Sequence, residues 1–157
     1  MVDRDTLLDI LETLEEYVDD LKGYRSLPRE KIVGDRQVQS AVRYALQTAV
    51  QCVLDAGLHV LVDSGLARPK DNREIIQALG EKGVLPKDFA KKIEGMAGFR
   101  NILVHRYFKV NSEIVCEHVH DRLSDFETFI KHLRDYLQQA PPGDEKEGTP
   151  GTPHDLP

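Results

Sequence analysis

The sequence has no tryptophan, and among its 157 residues are only two cysteines and two methionines. Cys52 and Cys116 lie far apart, and neither belongs to a Cys-x-x-Cys or Cys/His cluster. That spacing offers neither a disulfide framework nor a thiolate metal site. Each cysteine stands in an apolar helical pattern, as a small buried hydrophobe does. No apolar stretch approaches the roughly 20 residues that a bilayer span needs. The opening Met-Val-Asp-Arg-Asp is charged and lacks the short apolar core of a signal peptide, so the expectation is a cytoplasmic protein without a membrane role. Net positive charge is also missing. The formal charge of −6 argues against a protein that coats nucleic acid through a global positive field.

What is present is ordinary for a globular chain: 40% hydrophobic and 31% charged residues. The length suits one core with a tail. The charge is unevenly placed. Residues 87–109 hold Lys87, Lys91, Lys92, Arg100, Arg106 and Lys109 against Asp88 and Glu94. The tail from Gln139 holds Asp144, Glu145, Glu147 and Asp155 against Lys146. A basic patch on an acidic protein can attract a phosphate chain locally, with Lys91, Lys92, Arg106 and Lys109 as the candidate RNA-binding contacts; by charge alone it equally suits a solvated helix face.

Hydrophobic periodicity predicts helices throughout. Leu7, Leu11, Leu14, Val18 and Leu21 mark a first helix over about 3–24. Gly23 and Pro28 end it, and 24–34 reads as a connection with room for a helical turn. A long helix over about 35–63 opens on Asp35 as N-cap, with small alanines along its inner stripe. Asp71 to Glu74 has capping-box spacing and opens a short helix that Gly83 stops. From Pro86 a further helix is predicted to run to about His105, with Phe89, Ile93, Met96 and Ala97 inward. The last helix, about 112–138, carries Val115, Val119, Leu123, Phe126, Ile130, Leu133 and Leu137 at alternating spacings of four and three. Four substantial helices and one short one, with no strand pattern and no repeat, predict an all-α up-and-down four-helix bundle over 1–138. Residues 139–157 are rich in Pro, Gly and charge without periodicity, and are expected to be a disordered acidic tail.

One segment goes against plain helix building: Gly95-Met-Ala-Gly-Phe-Arg-Asn-Ile-Leu-Val-His-Arg-Tyr107. Gly95 and Gly98 would each cost about 1 kcal/mol relative to alanine inside a helix. Such glycines point to close backbone approach by another helix or a ligand. Arg100 continues the inward stripe, where a cation is expensive unless it meets an anion or carboxylate. Asn101 and His105, four apart, share a helix face. A cation, an amide and an imidazole therefore gather along one and a half turns. Imidazole takes and gives protons near neutrality, and guanidinium stabilises charge growing on a phosphoryl group. These are the groups needed to cleave RNA through its own 2′-hydroxyl, without a metal or a protein nucleophile. By residue type alone the same trio also suits a structural helix end, with the histidine capping terminal carbonyls. His118 and His120, two apart on a helix, point to different faces and make a poor metal pair.

The spacing Arg100, four residues, His105 resembles the Arg-x4-6-His motif of the HEPN superfamily. The longer Gly-Phe-Arg-Asn-x-x-x-His-x-Tyr string resembles its HepT toxin branch. That branch is also similar in the Asp35-Arg36-x-x-Gln39 opening of the long helix and the Gly83-Val-Leu-Pro86 linker. The resemblance covers roughly residues 1–137. It implies a helical bundle that forms a homodimer, so that two motifs share one cleft; Gly95 and Gly98, which residue type marks for close approach, are then the expected dimer-packing positions. It implies a metal-independent endoribonuclease toxin that needs no cofactor. In that reading Arg100 contacts the scissile phosphate, His105 transfers protons and Asn101 orients the site. A minimal nucleotidyltransferase antitoxin would silence it by adding AMP to Tyr107, which otherwise reads as a packing tyrosine. The alternative is a non-catalytic helical subunit of such a nucleotidyltransferase, gripping phosphate without chemistry.

Overall fold

The computed structural model describes residues 3–66, 68–104 and 112–139. Among these, the chain forms helices α1 (Arg4–Arg25), α2 (Arg29–Gly34), α3 (Arg36–Asp63), α4 (Asn72–Lys82), α5 (Lys87–Ile93), α6 (Met96–Val104), α7 (Ser112–Asp121) and α8 (Leu123–Gln139), and no strand. Three layers are the long α1, the long α3 and the consecutive pair α7–α8. The fourth is the consecutive pair α5–α6, while α2 and α4 are the short additions. The all-α bundle expected from the periodicity is what the chain adopts.

Local chemistry explains the helix starts. The Asp3 carboxylate accepts from the backbone N–H of Thr6 and caps α1. Asp35 accepts from the N–H groups of Gln37 and Val38 and caps α3. Asp71 accepts from Glu74 N at 2.9 Å, while the Glu74 carboxylate reaches back to Lys70 N at 2.7 Å. Gly83 closes α4 in the left-handed region, φ 83°, where glycine has no Cβ to clash.

Leu7, Leu11, Leu14, Val18 and Leu21 are all buried, and α1 packs chiefly on α3. The α8 stripe from Leu123 to Leu137 is likewise buried. The central α3 buries far more than its alanine stripe: Leu46, Val50, Leu54 and Leu61 join the core. This amends the expectation about apolar runs. By length and composition α3 would pass for a membrane span, since an 18-residue window has mean hydropathy 1.4. Its apolar side chains go instead into the bundle, with 61% of that window buried.

Two helices expected to be continuous are broken. The stretch from Pro86 divides at Glu94–Gly95 into α5 and α6. Gly95 weakens the helix there, and the Glu94 carboxylate is drawn to Arg73 (2.9 Å) and Gln77 (3.4 Å) of α4. The last helix divides at Arg122, where Asp125 N bonds back to the Arg122 carbonyl and starts α8 afresh.

The glycines that serve close helix packing within the chain are not the ones the sequence suggested. Among the described residues, a Cβ on Gly95 or Gly98 would meet nothing within 4 Å. A Cβ on Gly80 would lie 2.7 Å from that of Ala90, and one on Gly57 would lie 2.9 Å from Ile75 and Leu79 side-chain atoms. Gly57 and Gly80 let α3, α4 and α5 approach one another.

Candidate active site

Helix α6 carries the motif and packs on α3. Met96, Ala97, Phe99 and Leu103 face inward and are buried. Gly98, Asn101 and Ile102 form the opposite, exposed side, with Ile102 48% exposed. Phe99 is clamped from α7 by a face-to-face stack with His118, centroids 4.0 Å apart and planes 8° from parallel. The His118 Nδ1 lies 2.9 Å from the Ile114 carbonyl, which sets that nitrogen as the protonated one.

Arg100 is half-buried between the two sides. The sequence led to the expectation of a carboxylate or an anion beside it. Among the described residues its partners are not carboxylates. Its Nε donates to the side-chain oxygen of Gln51 on α3 at 3.0 Å, and its Nη1 to that of Asn101 at 3.3 Å. Both acceptors are neutral amides, and among the described residues no carboxylate pairs with this guanidinium. Hydrogen bonds from a charged donor are worth about 1.5–3 kcal/mol each, enough to orient the group. They leave its net charge in place.

A second α3 residue reaches the same helix. Arg43 Nη2 donates to the Leu103 carbonyl at 3.3 Å, in the last turn of α6. Arg43 Nε is buried without a hydrogen-bond partner among the described residues.

Among the expected phosphate-binding residues, Lys91 is exposed. Lys92 is tied down: its Nζ lies 3.2 Å from Asp125, which also accepts from Arg122 Nε at 2.8 Å. The Arg122 Nη2 bonds the Lys92 carbonyl at 3.4 Å. The positive charge of Lys92 is thus largely answered within the chain. Asp125 is the only buried polar or charged side chain among the described residues. It joins the end of α5 to the start of α8.

His105, Arg106, Tyr107 and Lys109 lie outside the described residues, as does the tail from Ala140. Among the described residues no three His, Cys, Asp or Glu side chains come together as a metal set. Gln51, Arg43 and Asp125 were not singled out by the sequence. One signal for Gln51 exists: Gln47, Gln51 and Asp55, four apart, run a polar stripe along an otherwise apolar helix.

With this geometry in hand, comparison with known proteins is direct. The family described as Ribonuclease HepT-like matches residues 14–133. The mRNA nuclease HepT of Shewanella oneidensis is 30% identical over 100 residues, covering 64% of this chain and 75% of the relative. The tRNA nuclease HepT of Aphanizomenon flos-aquae is 25% identical over 127 residues, covering 81% and 86%. The fold matches the tri-AMPylated Shewanella oneidensis HEPN toxin in complex with its MNT antitoxin, with a TM-score of 0.77 at 23% identity, over 84% of this chain and 98% of that one. The chain belongs to the HepT-like ribonuclease family.

Proposed function

We propose that this protein is a cytoplasmic endoribonuclease toxin of a toxin–antitoxin pair and that it cleaves RNA without a metal. The observation that carries the reading is the state of Arg100. Its guanidinium is fixed by two neutral acceptors and answered by no carboxylate among the described residues. A cation held this way is pre-oriented for an anion that arrives from outside.

The 2′-oxygen of the substrate attacks the adjacent phosphorus, and the 5′-oxygen leaves. The products are a 2′,3′-cyclic phosphate and a 5′-hydroxyl. His105 transfers a proton, either from the 2′-hydroxyl or to the departing oxygen. Arg100 stabilises the crowded, doubly charged phosphorane between these events. Asn101 holds the guanidinium in register. Lys91, Arg106 and Lys109, with whatever charge Lys92 retains, guide the chain in.

Two copies complete the cleft in this proposal. The exposed side of α6 is suited to self-contact: Gly98 offers flat backbone between Asn101 and the exposed Ile102. Gly98→Leu should then convert a dimer to a monomer by light scattering, and an unchanged mass counts against this face. A nucleotidyltransferase antitoxin would transfer AMP to Tyr107, adding bulk and negative charge where RNA must enter. The AMPylated state and the antitoxin complex of the Shewanella toxin support that part by kinship.

The decisive assay mixes the purified protein with RNA in EDTA. Cleavage is expected, ending in cyclic phosphate, and His105→Ala should lower it about 10²–10⁴-fold. No cleavage, or equal cleavage by His105→Ala, overturns the proposal. Phosphate-dependent thermal stabilisation without products would point to the binding subunit instead.

A further inference from the structure

Gln51 on α3 lies 49 residues before Arg100 on α6, with two helices between them in sequence, yet its side-chain oxygen accepts a hydrogen bond from Arg100 Nε at 3.0 Å. Its amide nitrogen donates in turn to Asp55 Oδ1, one turn along α3, at 2.7 Å. The two bonds fix which way the amide points. The oxygen must face the arginine and the NH₂ must face the carboxylate, because a guanidinium has no acceptor and a carboxylate no donor. They also reinforce each other: donation to Asp55 enriches the oxygen that Arg100 uses.

We infer that Gln51 is a positioning residue for Arg100, an uncharged spacer that holds the guanidinium by its Nε edge while keeping the Asp55 carboxylate one residue removed. This deepens the ribonuclease reading and rests on it. Three consequences of the geometry make the amide specifically suited. First, of the five N–H donors of the guanidinium, Gln51 takes one and Asn101 another, so among the described residues most of the fork remains for phosphoryl oxygens. Secondly, glutamate at this position would reach the same atom but form an ion pair, and a phosphate would then have to compete with it. Thirdly, without any acceptor the long arginine side chain would regain its rotamers, and the orientation would be lost before substrate binds.

The spacer idea separates two properties that a packing role would not. Gln51→Glu keeps Arg100 held but neutralises it. Gln51→Leu leaves it charged but unheld. Each variant is to be studied in the full chain by three measurements. The Arg100 Nε–H resonance, assigned by its loss in Arg100→Lys, reports whether the side chain is held. Binding of a 2′-deoxy oligonucleotide, which cannot cleave by this route, reports phosphate affinity. Cleavage of the matching RNA gives kcat and KM.

The expected pattern is as follows. In Gln51→Glu the Nε–H signal persists and oligonucleotide affinity falls about tenfold, with KM rising in step. In Gln51→Leu the signal exchanges away or broadens. There affinity changes less than threefold, while kcat falls at least tenfold. Thermal midpoints should show that both variants fold. An unaltered Nε–H signal in Gln51→Leu, or wild-type oligonucleotide affinity in Gln51→Glu, overturns the inference. If wild-type protein leaves RNA uncut, the ribonuclease reading fails by itself. The resonance and oligonucleotide measurements still decide whether Gln51 holds Arg100 for an anion.

Discussion

The knot at Asp125 makes an asymmetric expectation about stability. Its carboxylate is 2% exposed, whereas the Lys92 and Arg122 side chains that pair with it are 58% and 42% exposed. Consider first the removal of the two cations by Lys92→Met and Arg122→Met, which keep apolar stems of similar length. The carboxylate is then buried without a charge partner, and such a break costs about 3–5 kcal/mol. Now consider Asp125→Ala. The buried charge disappears together with its own desolvation cost. The two cations left behind already touch water, so neither is stranded. What is lost is a pair of charge-assisted hydrogen bonds and a little volume, about 1–2 kcal/mol. For a domain of this size each kcal/mol moves the midpoint by about 4 °C. Thermal unfolding followed by circular dichroism at pH 7 should therefore drop by about 12–20 °C in the double variant and about 4–8 °C in Asp125→Ala. Equal losses, or a larger loss in Asp125→Ala, would refute the reasoning, because the energy would then lie in the ion pairs themselves and not in the stranding of a buried charge.

Other outcomes follow from single positions. Gly80→Ala places a methyl 2.7 Å from the Ala90 Cβ; neither group can rotate away, so an overpacking cost of about 1–3 kcal/mol should exceed the helix gain of about 1 kcal/mol in urea denaturation. Gly57→Ala should cost less, because the Ile75 and Leu79 atoms it meets at 2.9 Å are side-chain ends; a larger loss than Gly80→Ala would contradict this. The hydrogen bonds from Arg73 and then Gln77 lower the Glu94 carboxyl below its ordinary 4.5. A lowered acid stabilises the fold above its unfolded value, and that contribution is lost as pH falls through the folded value. Glu94→Gln should thus be less stable than wild type at pH 6 and converge with it on acidification; a constant deficit would exclude the linkage. Burial pushes the Cys52 thiol up to about 11, with Asp55 adding to the effect. In a Cys116→Ser background at pH 8, a disulfide dye should react with the native chain about 100-fold more slowly than with the unfolded one; comparable rates would show that the site opens freely.

Legibility differed by the physical origin of each feature. Stripes such as Leu7 to Leu21 and Val115 to Leu137 could be read because periodic burial is a local property of the chain. Caps at Asp35 and Asp71 were readable for the same reason. The breaks at Glu94–Gly95 and Arg122 were not, since the partners that draw those side chains, Arg73, Gln77 and Asp125, lie on other turns or other helices. The glycines that pack helices within the chain, Gly57 and Gly80, were missed on similar grounds. A glycine inside a helix signals close approach only if another element is there, and the periodicity of α6 carries no information about what faces Gly98.

Arg100 is the sharpest case. A cation on an inward stripe requires compensation, and that requirement follows from residue type. The kind of compensation does not. A carboxylate would have satisfied the stability argument and worked against the function, because an ion pair already made is one that a phosphate must break. Two amides satisfy both demands: they repay part of the desolvation through charge-assisted hydrogen bonds and leave the net charge unanswered. At position 51 stability is divided: glutamate would pair with Arg100, but its second oxygen would face the Asp55 carboxylate to which the Gln51 amide donates at 2.7 Å. Gln51→Glu should leave the unfolding midpoint close to that of wild type, since the new ion pair with Arg100 is offset by repulsion from Asp55, while weakening oligonucleotide binding. A variant that keeps its stability as it loses affinity would mean that the amide is kept for the anion. Loss of both together would mean that Gln51 is simply part of the packing between α3 and α6.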